Sequence, residues 1–293
     1  MDDVILRGLL AGGRVKLMAI SGKTLVETAR QTHGLSRVCT AALGRTLMMT
    51  AMMGVQLKNE DERVTAILKG GGAAGNIVCT ARPDGTVKGY IENPSIELPP
   101  APDGKLDVAL AVGWFGDLTV VRDLSMKEPY TGTVPILSGE IAEDFAYYYT
   151  VSEQQPSLVY LGVMVDIESG ETLSAGGLVL APLPDCPEEA IAAMEALAGK
   201  IEGISKALVT RELEDVLTEI FEGLKLEFIS SEHPAFLCDC SRERLERVLI
   251  SLGKEELTGM IKEDRGAQLT CQFCNKVYEF DEEALAALRA EIN

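Results

Sequence analysis

The chain has only two histidines in 293 residues, His33 and His233. Neither stands in a motif that recruits a serine or cysteine nucleophile, so triad-type chemistry has little to build on. Long apolar runs are missing too. The most apolar stretch, residues 46–57, is bounded by Arg45 and Lys58 and falls well short of the ~20 residues a membrane-spanning helix needs. Acidic Asp2 and Asp3 stand where a secretory leader carries basic residues, and Arg7 and Gly8 break the apolar run that follows. No leader is expected, and the expected location is the cytoplasm. Positive charge is scarce: 27 Lys and Arg face 45 Asp and Glu, a net charge of −18. That balance opposes binding to nucleic acid or to an anionic membrane surface.

The remaining composition is that of a globular protein, 46% apolar and 25% charged, long enough for about two domains. Charge and cysteine are unevenly spread. Residues 1–180 hold 15 basic and 21 acidic side chains, and residues 181–293 hold 12 and 24. Cys39, Cys79 and Cys186 are scattered singly, whereas Cys238, Cys240, Cys271 and Cys274 fall close together. An odd total of seven cysteines does not suit a secreted disulfide framework.

Residues 1–181 read as an α+β domain, with β-hairpins and sheets around a buried helix. Strands are expected at 4–10 and 14–20 about a Gly12-Gly13 turn. Thr24 and Glu27 fit a capping box opening a helix over 25–33. Ser36 caps a second helix running to about Leu57, apolar on nearly every face and therefore a core helix. Its four methionines read as core filling, with an adaptable binding surface as the alternative. Further strands are expected at 63–69, 76–81, 86–91, 118–122, 133–137, 158–166 and 173–180. Two nucleotide motifs fail on context. Gly70–Gly75 matches GxGxxG but leads into a strand rather than a helix. Gly22-Lys23-Thr24 resembles the end of a P-loop, but Leu17 stands where the first glycine is required. The acids of Ser138–Asp144 read as the first turn of a helix.

Residues 182–232 form an acidic helical linker, with 12 acids and 4 bases between 185 and 232. Apolar residues recur at three- and four-residue steps from Ile191 to Leu208, with a bend expected near Gly199 and Gly203, and a second amphipathic helix covers 213–221. This is either a packed arm or a metastable segment whose apolar stripe needs a partner. Residues 233–293 hold Cys238-Asp239-Cys240 and Cys271-Gln272-Phe273-Cys274, two close thiol pairs suited to one tetrahedral zinc ion. Helices are expected at 242–252, 255–263 and 282–291. Four protein ligands leave no open position to activate water, so the metal is structural, and so small a module depends on it for folding. A CxC disulfide closes a very small ring, and strained bridges tend to be labile or regulatory.

With its cysteine pattern, the chain carries Ala41-Ala42-Leu43-Gly44-Arg45, the Gly70–Gly75 run, and Asp84-Gly85-Thr86-Val87-Lys88-Gly89-Tyr90. Tyr130-x-Gly132, Ser138–Asp144, Ser152-Glu153-Gln154-x-Pro156-Ser157 and Gly176-Gly177 complete the set. Together these resemble, over essentially the whole chain, the redox-regulated heat-shock chaperones of the thirty-three-kilodalton class in bacteria. The resemblance implies a non-enzymatic, ATP-independent holdase for unfolding client proteins. It implies an inactive state in which Cys238, Cys240, Cys271 and Cys274 bind zinc. Oxidation then pairs Cys238 with Cys240 and Cys271 with Cys274, zinc leaves, the zinc domain and linker unfold, and an oxidised homodimer replaces the reduced monomer. It also favours the metastable reading of the linker. Cys39, Cys79 and Cys186 lie outside the family pattern. The alternatives are a zinc-ribbon adaptor and an enzyme with a purely structural zinc module.

Overall fold

A computed structural model describes residues 2–292. The chain divides into two compact units, one up to Leu237 and one from Cys238 onward.

The first unit is built on two sheets and the helices that cover them. Strands β1 (Val4–Leu10) and β2 (Val15–Ser21) form a hairpin, followed by α1 (Lys23–His33) and α2 (Arg37–Gly54). Next come β3 (Arg63–Lys69), β4 (Ile77–Ala81), β5 (Thr86–Ile91), α3 (Val108–Val112), β6 (Asp117–Asp123) and β7 (Tyr130–Pro135). After α4 (Ala142–Val151), β8 (Leu158–Val165) and β9 (Thr172–Pro182) make a second hairpin. The linker supplies α5 (Glu188–Glu195), α6 (Ala198–Ile201), α7 (Ile204–Ala207) and α8 (Leu213–Ile220), then β10 (Glu227–Glu232); the short β11 (Ala235–Phe236) follows beyond residue 232 and still belongs to the first unit. The strand orders are β10-β1-β2-β9-β8 and β11-β5-β4-β3-β6-β7. All pairs in both sheets are antiparallel except β11 with β5.

Helix α2 packs against strands of both sheets. All of its residues except Arg37 and Arg45 are buried, its four methionines included, so core filling is the reading that holds. Thr40, Thr46 and Thr50 sit in this apolar setting by donating their hydroxyls to the carbonyls of Ser36, Ala42 and Thr46. Each buried hydroxyl is thus satisfied within its own helix. Ser36 caps α2 by accepting from the Cys39 amide.

Helix α1 starts differently from expectation. Gly22 is its N-cap, and no capping box forms. The carboxylate of Asp3, from the entry to β1, accepts from the amides of Thr24 and Leu25. Glu27 instead binds Arg30 and the Thr172 amide. A residue 21 positions away does the capping, which no local motif encodes. The helix terminus that a P-loop would offer to a phosphate is already occupied by a carboxylate. The glycine run 70–75 is a packing device. A Cβ on Gly70 would lie 2.3 Å from the Val112 carbonyl oxygen, and the chain continues into β4 as expected.

The five-stranded sheet is apolar on both faces. Ile5, Met18, Ile20 and Val179 point to the α2 side. Leu6, Leu10, Leu17, Leu178 and Leu180 point to the other side, where the linker covers them with Ile201, Ile204, Leu208, Leu213, Leu217 and Phe221. Alternating side chains serve two cores, which is why these strands read as nearly continuous apolar runs. The amphipathic linker pattern is therefore satisfied by a sheet face. The first linker helix is divided into α5, α6 and α7, with Gly203 in the break before α7 and Gly199 inside α6. The linker is not helical throughout: residues 227–232 form β10, the edge strand against β1. That strand is six residues long and leaves Ile229 exposed, so its pattern is weak.

The second unit contains α9 (Arg242–Leu252), α10 (Lys254–Gly259), a wide turn at Met260–Asp264, the hairpin β12 (Gly266–Thr270) and β13 (Val277–Asp281), and α11 (Glu282–Glu291). The expected helix over 255–263 thus ends early and opens into a wider turn. The core is small: Leu249, Leu257, Tyr278, Phe280, Leu285 and Leu288.

Candidate metal centre

Cys271–Cys274 forms the turn of the β12–β13 hairpin. The Cys271 amide donates to the Lys276 carbonyl, and the amides of Cys274 and Asn275 donate to the Cys271 carbonyl. Asn275 has φ +58, the left-handed conformation that asparagine tolerates in tight turns. Cys238 and Cys240 lie in irregular chain just before α9, whose N-cap Ser241 accepts from the Arg244 amide. A cap and a turn thus bring the two thiol pairs together.

All four sulfurs lie within 4.8 Å of one another. Contacts between the pairs measure 3.7 Å for Cys238–Cys271 and 3.4 Å for Cys240–Cys274. A tetrahedron of Zn–S bonds near 2.3 Å has S···S edges of about 3.8 Å. The donor set and its spacing therefore fit one soft divalent ion, which would draw all four sulfurs to the thiolate form.

The charge environment is uneven. Burial pushes the Cys238 thiol up, and it also raises Cys274. Burial acts on Cys240 in the same direction, but hydrogen bonds from Tyr278 and the other thiols outweigh it and bring Cys240 below the ordinary thiol value. Its sulfur lies 3.1 Å from the Tyr278 hydroxyl. The three nearby cations in the sequence have other partners. Arg244 pairs with Asp239 at 3.1 Å. Arg242 donates to the Glu279 carbonyl and lies over the Phe280 ring. Lys276 lies over the Tyr278 ring. Tyr278 was not foreseen from sequence. Its only signal there is an aromatic residue four positions after Cys274.

The other thiols are elsewhere. Cys39 and Cys79 are buried, and burial raises both, so they are poor nucleophiles. Cys186 is half-buried in the linker. The acids of Ser138–Asp144 are structural. Asp144 accepts from the amides of Leu137, Ser138 and Ile141, and Glu140 pairs with Arg45 at 2.7 Å.

The family model described as "Hsp33 protein" matches residues 3–281. The chain belongs to the Hsp33 family. It is 43% identical to a 33 kDa chaperonin of Clostridioides difficile (strain 630), with all of both chains covered. It is also 43% identical to one of Alkaliphilus oremlandii, covering 100% of this chain and 98% of the relative. The crystal structure of a 33 kDa chaperonin, a heat shock protein 33 homologue from Thermotoga maritima, superposes with a TM-score of 0.91 at 37% identity. It covers 99% of this chain and 98% of the other. The Hsp33 fold is thus the α+β architecture expected from the sequence. Among the described residues, no helix is long and apolar enough to cross a membrane.

Proposed function

We propose that this Hsp33 chain is a cytoplasmic, ATP-independent holdase, not an enzyme, switched by the redox state of Cys238, Cys240, Cys271 and Cys274. The carrying observation is the convergence of these four sulfurs within 4.8 Å in a unit whose own core is small. Bound zinc supplies a folding cross-link and no open coordination position. While the four are thiolates, the zinc module is held together. Oxidation pairs Cys238 with Cys240 and Cys271 with Cys274, as the family resemblance implies, and removes all four ligands at once. Loops that short cannot replace the metal's hold, and the module comes apart.

The functional division runs core 1–181, linker 182–232 and zinc module 233–293. The linker follows the module. Helices α6 and α7 are four residues each, far below the ~12–15 residues at which an isolated helix becomes even marginal. With 12 acids against 4 bases between 185 and 232, the linker is held chiefly by its apolar stripe on the five-stranded sheet. Its release bares two surfaces together, that stripe and the sheet face around Leu6, Leu17 and Leu178. Exposed apolar area of this kind suits unfolding clients and pairing with a second copy. The reduced protein is then a monomer and the oxidised one a homodimer.

The test measures zinc release and suppression of thermal aggregation of an unrelated protein, before and after peroxide at elevated temperature. Loss of zinc with a gain of suppression is expected. Zinc retained, or no suppression after its loss, would sink the proposal.

A further inference from the structure

Strand β13 turns two aromatic residues into the core of the second unit, Tyr278 and Phe280. They occupy equivalent inward positions in the pleat. Phe280 has only a ring, whereas Tyr278 also has a hydroxyl. Tyr278 is 7% exposed as a residue, and its part-buried hydroxyl costs stability unless it is bonded. This hydroxyl has two acceptors on one residue, the Cys240 sulfur at 3.1 Å and the Cys240 carbonyl oxygen at 3.1 Å.

A single hydroxyl proton serves one of these well at a time. A charged acceptor forms the stronger bond, roughly twice as strong as a neutral one. When Cys240 is a metal-ligating thiolate, the proton goes to sulfur. When its sulfur is bonded to another sulfur, the acceptor is weak and the proton falls back on the carbonyl.

We infer that Tyr278 is a positioning residue for the switch: its hydroxyl donates to the Cys240 thiolate, makes this sulfur less reactive than it would be without that donor, and sets how readily the centre oxidises. This rests on the zinc–thiolate reading above. In the oxidation, one thiolate attacks the O–O bond of a peroxide, becomes a sulfenic acid and releases hydroxide. A second thiolate displaces the sulfenic oxygen as another hydroxide and the S–S bond forms. Two thiolates have then lost two electrons and one peroxide has gained them. Sulfur lone-pair density shared with a donated proton is less available for attack on peroxide and less strongly given to the metal.

The test uses the full chain with Tyr278→Phe, and with 3,5-difluorotyrosine at the same position. The first removes the donor and keeps the ring; the second keeps the ring and makes a stronger donor. Peroxide-driven zinc release should quicken several-fold in Tyr278→Phe and slow with the fluorinated residue. The sulfur-to-metal charge-transfer bands of the cobalt(II)-loaded proteins should shift to lower and higher energy respectively. Bonds to metal ligands of this kind typically change metal affinity by about 10–100-fold. Cobalt bands and release rates identical in all three proteins would overturn the inference. If wild-type protein keeps its zinc under peroxide, the redox reading fails, and the cobalt bands alone decide the role of Tyr278. If Tyr278→Phe does not fold, the fluorinated protein carries the comparison.

Discussion

Tyr160 and Ser205 meet hydroxyl to hydroxyl at 2.9 Å across the seam between the five-stranded sheet and the linker. The same Tyr160 hydroxyl lies 3.0 Å from the Glu202 carbonyl, and the Ser174 hydroxyl donates to the Ser205 carbonyl. Ser205 lies deep enough that a Cβ on Gly162 would come within 2.8 Å of it. Around these bonds the contact is apolar, so this small polar latch fixes where the linker sits on the sheet.

Tyr160→Phe should loosen the linker without disturbing the core. Losing hydrogen bonds of this kind costs about 1 kcal/mol, which raises the open population roughly fivefold. Amide hydrogen exchange should quicken across 198–221 and stay unchanged in α2. Equal exchange in both proteins would show that the latch carries no weight.

Leu217→Ala should act more strongly. Leu217 is fully buried in α8 against the sheet, and such truncations cost about 2–5 kcal/mol. The reduced protein should then suppress aggregation without any oxidant. If it remains inactive while its linker is cut faster by protease, an uncovered sheet face is not sufficient for client capture.

Removing the metal with a chelator under reducing conditions should unfold the second unit and loosen the linker, and leave the core of residues 1–181 folded. Structural zinc contributes roughly 10–16 kcal/mol of apparent binding energy in small fingers, more than so small a core can replace. Far-UV circular dichroism should lose the helical signal of α9 and α11. Fluorescence of the sole tryptophan, Trp114 in the first unit, should not move. Retained helix signal after full chelation would count against metal-dependent folding.

Acid should weaken the first unit through Glu27. Hydrogen bonding to Arg30 lowers the carboxyl from 4.5 to about 2. The folded state therefore holds the ionised form more firmly than the unfolded state does. Its stabilisation is complete above pH 4.5 and is lost as pH falls toward 2. Glu27→Gln should flatten this part of the stability curve, read by Trp114 fluorescence in denaturant at a series of pH values. An unchanged slope between pH 4.5 and 2 would remove Glu27 from the account.

The fold was legible where local pattern and tertiary need agree. The uniform apolarity of α2 announced a core helix. The Gly12-Gly13 turn placed β1 and β2. The two cysteine pairs could be grouped because thiol spacing is itself the signal of a thiolate site. What stayed hidden depends on partners distant in sequence. Asp3 caps α1 from outside any local motif. Strand β10 exists because β1 offers an edge, and its own alternation is too short to reveal it. The Tyr278 hydroxyl reaches Cys240 only once the hairpin and the CxC stretch are folded together, so four-residue spacing from Cys274 gave no reason to single it out.

The linker leaves the five-stranded sheet from β9 and returns to the same sheet as β10. It is therefore tethered at both ends to the surface it covers. A segment freed between two anchored strands stays at high effective concentration over its own docking site. Closing such a loop again costs an entropy that grows only slowly with its length. Once the thiols are reduced and the module refolds, re-covering is a first-order event, with a rate independent of protein dilution. A bound client competes with it as an intermolecular ligand whose hold does weaken on dilution, so the same tethers that permit opening also bias the chaperone toward letting go.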